Sequence, residues 1–122
     1  MDKIVYIGDI EIRKSKLGGY GVFANKHIKE GDLIESGIMS VLNNVEGHEN
    51  PMLFTWSEDK TKWAIGTGLL HYYNHNETPN IKKKGDLINN TLKIYALRDI
   101  DIDEELLGSY YSKKWRECFK SF

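Results

Sequence analysis

Apolar and polar positions along this chain change over short distances and seldom repeat at helical spacing. Short strand-like runs fall at 4–7, 10–13, 21–24, 33–35, 63–65 and 92–97. Glycine-rich turns separate several of them. Helical periodicity is poor. Its best candidates are a short turn at 51–57 and a C-terminal segment at 112–120, where Trp115 and Phe119 stand four apart and share a face. Many short strands with little helix predict a mostly-β fold. One pattern occurs twice: Ala24-x-x-x-Ile28-x-x-Gly31-Asp32 is echoed by Ala96-x-x-x-Ile100-x-x-Asp103-Glu104. Each copy reads as a strand end, a buried isoleucine and an acidic turn.

Composition narrows the picture. A chain of 122 residues fits a single domain, 1–122, able to bury one core. With a net charge of −1, no global field draws it to nucleic acid or membrane, and neither partner is expected. No apolar run is long enough to span a bilayer. The start has no signal-peptide pattern, which gives the expectation of an intracellular protein. Cys118 is the single cysteine, so neither an internal disulfide nor a cysteine-rich zinc cluster can form.

Three stretches hold the candidate chemistry. Gly18-Gly19-Tyr20-Gly21 places three glycines in four positions, permitting positive φ and close backbone approach. That suits a ligand held by main-chain groups, although the segment alone reads first as an ordinary glycine-rich hairpin. In Tyr73-Asn74-His75-Asn76-Glu77-Thr78-Pro79-Asn80, a histidine flanked by asparagines does not read as a core residue. His71 and His75 are four apart, but nearby glycines and Pro79 argue against the helix a metal pair would need, so no metal is expected. Glu104-Glu105-Leu106-Leu107-Gly108-Ser109-Tyr110 ends on a tyrosine that, alone, reads as a packed strand end. Asp99, Asp101, Asp103, Glu104 and Glu105 form an acidic cluster, by default a solvated turn, which would also steer a basic peptide.

In this order and spacing, with Leu17-Gly18-Gly19-Tyr20-Gly21-Val22-Phe23-Ala24 as the first piece, the chain resembles the SET domain, the fold of protein lysine methyltransferases. The likeness spans residues 11–115 and is similar to the minimal stand-alone forms of viruses and bacteria. It implies small curved sheets with a C-terminal pseudoknot. It implies an S-adenosylmethionine-dependent protein lysine N-methyltransferase acting on a protein or peptide lysine, such as one in a histone tail. Its place would be the nucleus for a histone target and the cytoplasm otherwise. By the same resemblance Lys16, Gly18, Gly19, Tyr20, Gly21, Asn74 and His75 hold the cofactor, Tyr110 is catalytic, and Phe54, Tyr72, Tyr73 and Gly108 line the substrate channel. Trp115, Phe119 and Phe122, in the aromatic segment 112–122, would close the cofactor side or form a homodimer interface.

The chain departs from the family pattern at three places. Gly108 stands where an aromatic is common, Tyr111 where glycine is common, and Met52 where tyrosine is common. These support a rival reading, a SET fold kept as a protein-interaction module with weak or no catalysis.

Overall fold

In a computed structural model, which describes residues 4–42, 54–56 and 62–109, the chain forms two sheets of short strands. The larger contains β1 (Tyr6–Ile7), β4 (Leu33–Leu42), β5 (Phe54–Thr55), β6 (Trp63–Gly66), β8 (Ile81–Asp86) and β9 (Thr91–Ala96). Its order is β5-β6-β4-β9-β8, with β1 added against β4. The smaller has the order β2-β3-β10-β7, from β2 (Ile10–Lys14), β3 (Tyr20–Ala24), β7 (Asn74–His75) and β10 (Glu105–Gly108). Among the described residues there is no helix.

The six expected strand runs are all present in part or whole, with corrections at their ends. The run at 33–35 extends to ten residues as β4, because β1, β6 and β9 all pair with it. A register irregularity between Leu33 and Glu35 accompanies four consecutive buried positions, 34–37. Of the turn expected at 51–57, Phe54 and Thr55 form a strand against β6; 51–53 and 57 lie outside the described residues. The segment 112–122, with Trp115, Phe119 and Phe122, lies outside them too.

The core sits between the two sheets' inner faces. Val22, Ala24, Leu92, Ile94, Ile100 and Leu106 are essentially inaccessible and belong to one cluster. The alternation of β9 sends Leu92, Ile94 and Ala96 inward and leaves Thr91, Lys93 and Tyr95 half-buried. β10 is the strand that matters for the site. It pairs antiparallel with β3 through Glu105↔Phe23 and parallel with β7 through Leu107↔Asn74. The asparagine stretch is thereby set beside the end of the glycine-loop hairpin.

Candidate active site

The glycine loop joins β2 to β3. Ser15 N–H donates to the Gly19 carbonyl (2.9 Å), and Gly18 N–H donates to the Ser15 carbonyl (3.2 Å). Gly18 (φ 102°) and Gly19 (φ 63°) both occupy the left-handed region. A Cβ at either position would meet nothing within 4 Å, so the loop's outer side is open. Lys16, Gly18, Gly19 and Tyr20 are all exposed there.

Glu105 ties this loop to the asparagine stretch. Its Oε1 accepts from Ser15 Oγ (2.8 Å) and its Oε2 from Asn74 Nδ2 (2.8 Å). The same Asn74 amide donates to the Tyr20 carbonyl (3.0 Å). Gly21 explains how the groups meet. A Cβ there would collide with the Glu105 carboxylate and come within 2.9 Å of Asn74 Nδ2. Gly21 is therefore glycine for space, whereas Gly18 and Gly19 are glycine for backbone angle. Sequence reasoning missed both Ser15 and Glu105. Glu105 sits in an acidic run that reads as solvated, and its partners lie 31 and 90 positions away.

Asn80 locks the other flank. It is buried, and its amide does the work of a strand neighbour. Oδ1 accepts from Leu107 N–H (2.7 Å), while Nδ2 donates to the Glu105 carbonyl (2.9 Å). Its backbone N–H donates to the Leu107 carbonyl (2.9 Å). Buried amides with every group engaged specify one arrangement. Between these anchors Asn76 N–H donates to the Gly108 carbonyl (2.9 Å), and its Oδ1 accepts from Thr78 N–H (2.8 Å), an Asx turn. His75 pairs with Gly108 across β7 and β10, and its Nε2 lies 3.3 Å from Glu77 Oε1.

A second cluster braces the approach to Asn74. Glu35 is fully buried in β4. Its two oxygens accept from Leu69 N–H (2.7 Å) and Tyr73 Oη (2.6 Å). Burial pushes the Glu35 carboxyl up, against the opposing pull of those two bonds. Burial, then the Glu35 charge and the bond to it, push the Tyr73 phenol well above its usual range. Gly68 (φ 61°) leaves room for that carboxylate, which a Cβ would strike. His71 Nε2 accepts from Gly66 N–H at 2.7 Å. His71 and Tyr73 thus fix the segment that leads into β7.

The expected channel residues are spread over several settings. Tyr72 is 41% exposed, whereas Tyr73 is 2% exposed with its hydroxyl on Glu35. Gly108 is buried on β10, and a Cβ on it would meet Lys83 Cε at 3.2 Å and Ile81 Cδ1 at 3.3 Å. The Lys83 stem therefore fills the space that an aromatic at 108 would enter. Burial lowers the Lys83 amine to about 8. Phe54 lies in β5, opposite Ala64. Tyr110, Tyr111 and Met52 lie outside the described residues.

The sequence profile of the SET domain matches residues 19–111. The chain belongs to the SET-domain family. A relative in Schizosaccharomyces pombe, the H3 lysine-37-specific histone-lysine N-methyltransferase, is 34% identical over 115 residues, covering 88% of this chain and 77% of that protein. A Plasmodium falciparum crystal structure whose name proposes a histone methyltransferase superposes with a TM-score of 0.69 at 31% identity, covering 86% of this chain and 95% of the other. Chaetomium thermophilum Polycomb Repressive Complex 2, in an autoinhibited conformation bound to S-adenosylmethionine, gives a TM-score of 0.70 at 26% identity. This SET chain matches only 16% of that chain and 88% of its own length. The family and these relatives support protein-lysine methyltransferase activity.

Proposed function

We propose that this SET domain is an S-adenosylmethionine-dependent protein lysine N-methyltransferase whose substrate is a histone tail. The observation that carries the reading is the Glu105 junction, which joins the open glycine loop to Asn74. The residues present fit the cofactor. Gly18 and Gly19 leave a side-chain-free surface with left-handed backbone, and Lys16 supplies a cation beside it for a carboxylate. Tyr20, Gly21, Asn74 and His75 border the same region through the β3-β10-β7 pairing. When bound, the cofactor supplies an electrophilic methyl group on a sulfonium.

The chain's own part is positional. A lysine ammonium has a pKa near ~10.4 in water and must lose its proton to act as a nucleophile. Desolvation in an apolar slot favours the neutral amine. Alignment of donor and acceptor supplies most of the remaining advantage. In this reading Tyr110 orients both by its hydroxyl, Phe54 and Tyr72 border the acceptor's path, and Gly108 with Lys83 sets its depth. The core hydrogen bond of Tyr73 makes it a brace for that wall. With a histone target the protein would work in the nucleus.

Calorimetry with S-adenosylhomocysteine and turnover on a histone panel test the reading together. Tyr110→Phe is expected to lose about 10²–10³-fold in rate, the usual loss for one preorganised hydrogen-bonding group, with cofactor affinity nearly unchanged. A folded wild-type protein that binds no cofactor and methylates no lysine would leave the interaction-module reading in its place.

A further inference from the structure

The β8–β9 hairpin carries an arrangement of charge that the candidate active site does not use. In its register Lys84 stands opposite Lys93, and Lys82 stands opposite Tyr95. Directly opposed residues share a sheet face, so all four side chains project from one side. Lys82 and Lys84 are exposed, while Lys93 and Tyr95 are half-buried. Like charges directly opposite one another destabilise a sheet. Asp86, opposite Thr91 on this face, gives its oxygens to Ile88 N–H (3.0 Å), Asn89 N–H (3.1 Å) and Asn89 Nδ2 (2.8 Å). Those bonds fix the hairpin tip, which holds Ile88 out at 92% exposure. An outermost strand, β8, thus carries a cationic face next to a braced apolar tip.

We propose that this hairpin is a docking surface for double-stranded DNA, with Lys82, Lys84 and Lys93 on backbone phosphates and Ile88 entering a groove. Charge complementarity carries the choice of partner. β9 is also paired with β4 from Thr91 to Tyr95, so the hairpin tip rather than a free ribbon is what reaches a groove, and apolar side chains such as isoleucine serve as wedges against base steps in the minor groove. Cations repeated along one sheet face suit a polymer with regularly spaced charge. The chain's net charge of −1 conceals this face: Asp86, which feels the Lys93 charge, shares it, while the acids at 99, 101, 103 and 104 cluster on a different turn. The proposal stands apart from the methyltransferase reading, since neither needs the other.

The test is fluorescence anisotropy of the full chain with a labelled duplex across a salt series. Saturable binding is expected at low salt, with log K falling against log salt at a slope of about −2.7 for three phosphates. Reversal of all three lysines (K82E, K84E and K93E) is expected to abolish it, with folding checked by circular dichroism. Lys26→Glu with Lys29→Glu, exposed on another turn, should leave it unchanged. Ile88→Ala should weaken binding without altering the slope. No binding at low salt overturns the proposal, as does binding that survives the triple reversal. Capture by phosphatidylserine vesicles with none by the duplex also overturns it.

Discussion

Ile28 and Ile100 each donate a backbone N–H to the other's carbonyl, at 2.9 and 2.8 Å. Around this bridge the two copies of the sequence echo clasp one another. Ala24 N–H donates to the Glu104 carbonyl and Ala96 N–H to that of Asp32, both at 3.0 Å. In return Asp103 N–H donates to the Ala24 carbonyl and Gly31 N–H to that of Ala96, both at 2.8 Å. The echo is therefore more than two similar turns: each copy supplies the partners that the other lacks. Equivalent positions even share a backbone conformation, with φ of 86° at Gly31 and 69° at Asp103.

Gly31→Ala tests the clasp. A Cβ at this position meets nothing within 4 Å, so backbone conformation alone sets the penalty. Left-handed geometry costs an L-residue about 1–2 kcal/mol. Urea denaturation should show a loss of that size, with no loss of β structure in the native baseline.

Gly21→Ala acts at the site instead. The new methyl would displace Glu105 from Asn74 and so part the glycine loop from β7. Overpacking of this kind costs about 1–3 kcal/mol. Calorimetry is expected to show a loss of S-adenosylhomocysteine binding in protein that remains folded, whereas Gly31→Ala should bind normally.

Tyr73→Phe leaves the buried Glu35 carboxylate with the Leu69 N–H as its remaining bond among those described. A hydrogen bond to a charged group contributes about 1.5–3 kcal/mol, and a loss of that order is expected near neutral pH. The sign of the pH effect follows from the raised carboxyl. The folded chain holds a proton that the unfolded chain has already released, so stability falls as pH climbs between the two values. Removing the phenol raises the folded value further. Melting curves across mildly acidic to neutral pH should fall over a wider range in the mutant than in wild type.

Lys83 gives the opposite dependence. Its folded amine sits at about 8 against an ordinary 10.5. Between those values the unfolded chain carries the extra proton, so stability rises with pH. Lys83→Met keeps the stem beside Gly108 and removes the titration. Thermal melts over that window should slope upward for wild type, and the variant should lose that rise, keeping the fall that the raised Tyr73 phenol sets at the alkaline end.

The strands that sequence made legible are those whose alternation meets a single core face. Ile10-Glu11-Ile12-Arg13 and the β9 run are examples. β8 escaped because Lys82-Lys83-Lys84 shows no apolar alternation, although Lys83 follows Ile81 onto the inner face. β7 is two residues long, too short for any periodicity. At the site, the glycines and Asn74 stood out by residue type. Ser15, Glu35 and Glu105 did not, because short polar and charged residues read as surface until a distant partner is known. Their side-chain links to the site and its brace are made across 31, 34, 38 and 90 positions.

The placement of β10 also fixes an order of events during synthesis. β3 and β7 leave the ribosome first, yet neither pairs with the other; both pair with β10. Backbone registration of the glycine hairpin with the asparagine stretch has to wait for residues 105–108 to emerge. Until then the nascent chain carries Asn74 and the 18–21 loop without the carboxylate that joins them. Formation of the β3-β10-β7 arrangement is thus a late, chain-length-gated step, and a chain stalled before Glu105 would lack the strand and the carboxylate that join the glycine loop to Asn74.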